Sequence, residues 1–214
     1  PGVTEQTLRL DVGVDRYLLD HSIDGVPVLP MAGALSLIGE AAALACPGWH
    51  LGRIDGLTLL SGVRLVGGSC ELILRCTEKR RSESARQVSV EIISAQGKKR
   101  PHYRATVELF PDLAQAARND ALLPPIPPGE PPLPVAAIYQ RWLFHGPLFQ
   151  GITAIDGFTE HGVAGRLRGS RPEACLRGAK PHDAWLIDPV LLDSAMQLAG
   201  VWARHFAGIT VLPM

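Results

Sequence analysis

The chain has 214 residues, 46% hydrophobic and 20% charged, ordinary globular proportions with ample material for a core. Its 21 Lys and Arg balance 21 Asp and Glu, which excludes the positive surplus that nucleic-acid binders and polybasic membrane modules need. No apolar run approaches the roughly 18 residues that cross a bilayer, and the opening residues lack a secretory-leader pattern. The first residue is Pro1 and the first methionine Met31, so a domain of a longer polypeptide is expected. Cys46, Cys70, Cys76 and Cys175 form no C-x-x-C pair. Four reduced, mostly buried thiols in a cytoplasmic protein are expected.

In chain order, Thr7 to Val14 alternates apolar and polar residues, the period of a half-buried strand. A loop carries His21 to Pro30. The segment Met31–Ala45 is small, apolar and almost uncharged, which predicts a helix wrapped by other structure on nearly every side. Strands are predicted at about 53–66, 69–78, 86–95 and 101–110, separated by polar turns. A short helix or simple linker is expected over 113–122. Seven prolines then crowd residues 123–134, which fixes an extended, donor-poor backbone and predicts a semi-rigid connector. Beyond it come a helix near 135–143, strands at about 150–158 and 162–168, and a second apolar helix near 189–206. This order predicts an α+β protein of two halves, residues 1–122 and 135–214, joined by 123–134. Each half is a helix followed or flanked by antiparallel strands, and neither carries a nucleotide-binding glycine motif. The second half lacks counterparts of the first half's later strands, so its helix is expected to leave apolar surface exposed.

Three signatures carry chemistry. The first is His21-Ser22-Ile23-Asp24-Gly25-Val26-Pro27-Val28-Leu29-Pro30, with Gly at +4 and Pro at +9 from the histidine. The second is Phe144-His145-Gly146-Pro147-Leu148-Phe149-Gln150-Gly151. The third is Asp188-Pro189-Val190-Leu191-Leu192-Asp193-Ser194-Ala195-Met196-Gln197, which sets Asp193 and Gln197 one helical turn apart. An imidazole titrates near neutrality and suits a general base. A carboxyl group on an apolar helix is held toward its uncharged form by burial and suits a general acid. Gly25 permits a tight turn or a close backbone approach. Pro30 suits the first position of the following helix, and Asp188 before Pro189 suits the cap of the last one.

In this order and spacing the three signatures resemble the dehydratase domains of polyketide synthases and multifunctional fatty acid synthases, from about residue 5 onward. The resemblance implies a double hot-dog fold, two antiparallel sheets each wrapped around a central helix, with the second one truncated. It implies elimination of water from a β-hydroxyacyl thioester, with His21 and Asp193 as the catalytic pair. Gly25, Pro30, His145, Gly146, Pro147 and Gln197 would bind substrate or support the pair. His145 departs from the tyrosine that many modular domains carry before Gly-Pro, in a style closer to iterative synthases of the polyunsaturated fatty acid or enediyne kind. No metal and no cofactor is implied. The expected partners are an acyl carrier protein, other domains of the same synthase and a second copy of the chain, with neither nucleic acid nor membrane. Arg166, Arg168 and Arg171 are candidate docking cations. A product-template-like aldol cyclase and a non-catalytic structural domain are the alternatives. For either reaction, His21 and Asp193 must face one shared tunnel.

Overall fold

The computed structural model describes residues 2–97, 99–115 and 124–210. Strand β1 (Val3–Asp11) leads through a 3-10 turn, Arg16–Asp20, to a small hairpin of β2 (Ser22–Ile23) and β3 (Val26–Pro27). Helix α1 (Met31–Ala45) follows, then β4 (His50–Leu59), β5 (Ser69–Arg81), β6 (Arg86–Ser94) and β7 (Pro101–Phe110). The five long strands form one antiparallel sheet in the order β1-β5-β6-β7-β4. Residues 116–122 of the expected 113–122 helix and the first residue of the connector lie outside the described residues; Leu113–Gln115 is a 3-10 turn.

Period-2 alternation explains which face of this sheet is buried. Leu72, Leu74 and Cys76 on β5, Val88, Val90 and Ile92 on β6, and Tyr103, Ala105, Val107 and Leu109 on β7 all point inward. Register stacks them in rows, with Leu74 opposite Ile92, Val90 opposite Ala105 and Val88 opposite Val107. Helix α1 fills the concave side. Its buried residues are Ala32, Gly33, Ala34, Ser36, Ile38, Gly39, Ala41 and Ala42, side chains small enough for strands to close around the helix. Strand β4 stops at Leu59, seven residues short of its predicted end, and carries bulges at Leu51/Arg53 and Asp55/Thr58. Residues 63–65 instead clamp the segment after His21: Leu29 N donates to the Val63 carbonyl at 3.0 Å and Leu65 N to the Pro27 carbonyl at 2.9 Å.

The later elements are α2 (Val135–Arg141), β8 (Ile152–Thr159), β9 (Gly162–Leu167), the single turn α3 (Pro172–Cys175) and α4 (Pro189–Ala207). β8 and β9 form a two-stranded sheet under α4, sealed by Ile138, Phe158 and Val201 and by Tyr139, Ile152 and Leu198. α4 is capped by Asp188, whose carboxylate accepts from Val190 N and Leu191 N, and it ends at Gly208 in the left-handed conformation. The proline-rich segment does not stand off as a free spacer. It lies against β8 so closely that a Cβ on Gly157 would sit 2.7 Å from the Pro127 carbonyl oxygen.

The two helices meet: Ser36 Oγ of α1 donates to the Ile187 carbonyl just before α4 at 2.9 Å. The outer side of α4 and its end leave Leu191, Phe206 and Ile209 exposed. Cys46, Cys76 and Cys175 are buried and Cys70 is half-buried, all as free thiols. Because Ile38 is fully buried where α1 fills the sheet, Ile38→Ala should cost about 2–5 kcal/mol. Urea denaturation checks this, with a lower midpoint at an unchanged slope.

Candidate active site

His21 stands directly after the 3-10 turn Arg16–Asp20 and opens the β2–β3 hairpin. Its ring is 2% exposed. Nδ1 lies 2.8 Å from the Val28 carbonyl oxygen. A carbonyl only accepts, so Nδ1 carries the proton, and Nε2 is left as a buried base with no partner. Burial holds the imidazole below its ordinary value of 6.5, while the nearby Asp193 carboxylate pulls the other way. Keeping His21 neutral therefore contributes stability that is complete above 6.5 and is lost as pH falls through the lower folded value.

Gly25 lies in the turn of the β2–β3 hairpin. With Asp24 it makes the hairpin turn, φ +51° and +74° in succession, and nothing lies near the place of a Cβ. It supplies the positive φ that a two-residue turn of this kind needs at both positions. Pro30 sits one residue earlier than expected, as the extended residue before Met31, where its carbonyl accepts from Ala34 N at 2.9 Å.

Asp20 joins this loop to the second signature. Its carboxylate accepts from Leu148 N at 2.7 Å and its carbonyl from Gly146 N at 2.8 Å. Gly146 is required here, because a Cβ at this position would run into the Asp20 side chain. Pro147 opens the 3-10 turn Pro147–Phe149, which suits its fixed φ and missing donor. The latch sets the His145 ring 5.4 Å from the His21 ring, with Phe149 packed against both and Phe144 stacked on His145.

The third signature completes the site. Asp193 is 1% exposed on the inner face of α4, and its Oδ2 lies 3.2 Å from His145 Nε2. One nitrogen from each of His21 and His145 and one Asp193 oxygen lie within 4.8 Å of one another. Gln197, one turn on, donates from Nε2 to Asp193 Oδ2 at 2.7 Å and to the Phe149 carbonyl at 2.9 Å. Its Oε1 accepts from Tyr139 Oη at 2.9 Å, and Tyr139 Oη accepts from Ile152 N at 2.9 Å. Tyr139 belongs to no recognisable motif, and α2 offers only a generic helical pattern. Burial pushes its phenol up to about 12, so it stays neutral and serves as a hydrogen-bonding post.

A narrow cleft of about 40 Å³ reaches His145 and Gln197 between Trp142, Phe144, Met196 and Arg204. A larger concavity, about 770 Å³, is a polar surface groove beside Arg9, Arg64, Arg100 and His102 that touches none of the converging residues. Of the docking candidates, Arg166 is held by Asp156 through two 3.1 Å contacts. Arg168 donates to the Gln150 carbonyl, and Arg171 lies 3.8 Å from Glu173. Among the described residues no helix is long and apolar enough to cross a membrane.

Comparison with known proteins defines the class. A family model described as the polyketide synthase dehydratase N-terminal domain matches residues 118–214. A variant of the PpsC dehydratase domain from Mycobacterium tuberculosis superimposes with a TM-score of 0.66 at 25% identity, over 99% of this chain and 73% of that one. A GphF dehydratase variant gives a TM-score of 0.68 at 19% identity, over 96% and 70%. The fold is accordingly the hot dog of polyketide synthase dehydratases. A polyunsaturated fatty acid synthase polypeptide of Thraustochytrium sp. is 32% identical over 206 residues, which is 96% of this chain and 7% of that protein. On these matches the chain is similar to the dehydratase domains of polyketide synthases and related fatty acid synthases.

Tyr139→Phe would strand the Ile152 N–H and the Gln197 carbonyl in a dry interior. It should cost about 1–3 kcal/mol, measured as a lower urea midpoint.

Proposed function

We propose that this chain removes water from a β-hydroxyacyl thioester carried by an acyl carrier protein, giving an α,β-unsaturated acyl chain. The carrying observation is the convergence of His21 Nε2, a buried base with no partner, on the carboxyl group of Asp193. Elimination needs a base for the α-proton and an acid for the departing hydroxyl, both within reach of one small substrate. In this reading His21 Nε2 takes the α-proton, its orientation fixed by the Val28 carbonyl. The electron pair closes the new double bond, and Asp193 protonates the hydroxyl as it leaves. Gln197 and Tyr139 hold Asp193 in place; Gly146 and Pro147 hold the loop of His21 against it. Gly25 and Pro30 shape the hairpin and the start of α1.

Residues 1–122 and 135–214 work together as two halves joined by 123–134, with the site at their junction. The reaction as written consumes no cofactor and no metal. Partners are the carrier protein and other domains of one synthase, in keeping with a relative that is a synthase polypeptide of far greater length. Four free cysteines suit the reducing conditions of cytoplasm.

The experiment is incubation with a 3-hydroxyacyl thioester, followed by mass spectrometry for loss of one water. Retention of the starting mass would refute the reading, and formation of a ring would assign aldol chemistry instead. His21→Ala and Asp193→Asn should each lower turnover by about 10²–10⁴ while circular dichroism stays unchanged. The acidic limb of kcat/KM should have its midpoint below 6.5, the direction in which burial moves His21.

A further inference from the structure

His145 has so far no chemical task, yet it is a polar ring placed at the acid in a dry interior. Its side chain is 3% exposed and that of Asp193 1% exposed, and Nε2 approaches Oδ2 at 3.2 Å. The approach is too oblique to count as a formed hydrogen bond, so both ring nitrogens stand without a partner. Contacts of this kind tighten when substrate fills a site. Asp193 Oδ2 already accepts from Gln197 Nε2 at 2.7 Å, while Oδ1 has no partner. The two carboxyl oxygens are therefore unlike: Oδ2 has Gln197 Nε2 at 2.7 Å and His145 Nε2 at 3.2 Å, whereas Oδ1 has no hydrogen-bond partner.

We propose that His145 is a positioning residue that donates its Nε2–H to Asp193 Oδ2 alongside Gln197, so that the acidic proton is carried and delivered by Oδ1. The step rests on the dehydration proposed above. The Cα–H bond breaks and its proton passes to His21 Nε2. The C–H electron pair forms the double bond, the Cβ–O bond breaks, and the hydroxyl leaves as water with the proton from Oδ1. Negative charge then develops on the carboxylate. Gln197, already bonded to Oδ2, and His145, once its 3.2 Å contact tightens, stabilise that charge as it forms, which lowers the barrier without being needed for substrate binding.

The two histidines thereby take opposite tautomers. His21 carries its proton on Nδ1, toward the Val28 carbonyl, and accepts on Nε2. His145 carries its proton on Nε2. The charged and titratable neighbours do not disturb this arrangement. From the loop before the hairpin come His21, kept neutral by burial, and Asp20, engaged by the Leu148 amide. From α2 comes neutral Tyr139, engaged by Gln197. From α4 comes Arg204, which stacks on Trp142 at the far wall of the cleft.

The test has two arms, run on the full chain with a chelator present so that no stray divalent ion bridges the three side chains. In the first, ¹⁵N-histidine spectra assign the ring protons, with His145→Gln identifying the signals. A proton on Nε2 of His145 is expected, and a ring protonated on Nδ1 alone would overturn the proposal. This arm needs no turnover, so an inactive wild type would count against dehydration and leave the proposal to be decided here. In the second, His145→Phe removes the donor and His145→Gln retains one. His145→Phe should lower kcat at least tenfold with little change in KM and move the alkaline limb of kcat/KM to higher pH. That direction follows because the ionised carboxylate has lost a donor. His145→Gln should recover most of the rate. A loss that falls on KM alone, an alkaline limb that stays or moves to lower pH, or equal loss in both variants would each overturn the assignment.

Discussion

The hydrogen bonds from the Gly146–Leu148 turn to Asp20 are the constraint on which the site depends. One carboxylate and one carbonyl tie together segments 128 positions apart in sequence, with Leu148 N at 2.7 Å from Asp20 Oδ2. His21 follows Asp20 immediately and His145 precedes Gly146 immediately, so the latch fixes the separation of the two rings. Charge-assisted bonds to backbone amides are short and directional, and a glycine at the contact lets the chains approach as closely as they do. Together with the bond from Ser36 Oγ of α1 to the Ile187 carbonyl before α4, that approach gives His21 and the face of α4 that bears Asp193 a common reference.

Around this latch the site is built by a division of labour. The large sheet and α1 supply rigidity, and the hairpin loop hangs from them through the Val63 carbonyl and the Leu65 amide. The smaller sheet supplies α4 and, through Tyr139 and Gln197, a chain of hydrogen bonds from the Ile152 backbone to Asp193. Each member of that chain satisfies the next, which is what makes a polar network tolerable in an apolar interior. Buried polar groups are normally paired; here His21 Nε2, Asp193 Oδ1 and both ring nitrogens of His145 are left without a partner, as are Arg86 Nε and Glu173 Oε2 away from the site.

Much of this is legible in the sequence because the signals are local. Alternation along β5, β6 and β7 and the small residues of α1 encode burial directly, and three short motifs mark His21, His145 and Asp193. What stays hidden is relational. Tyr139 looks like any residue of a short helix until β8 brings the Ile152 amide to it. Asp20 escapes notice beside a conspicuous histidine, since its partner lies in another segment. Gly25 reads as a possible neighbour of the chemistry, whereas its positive φ serves a turn. Apolar content overestimates the end of β4, because residues 63–65 bond instead to the segment after His21, a partner that alternation does not reveal. The proline-rich stretch reads as a spacer, and only its packing against Gly157 gives it a place in the fold.

A further consequence concerns the order in which the molecule comes together. Two of the four strand pairings in the large sheet, β5–β6 and β6–β7, join strands consecutive in sequence, whereas the Asp20 latch closes a very long stretch of chain. Closing such a loop is entropically costly and is rewarded only once the surfaces it joins have formed. The first half can acquire its sheet and helix early, yet His21 then has no counterpart. Loop closure of this length places the meeting of His21, His145 and Asp193 late in folding, after the surfaces that carry them have formed.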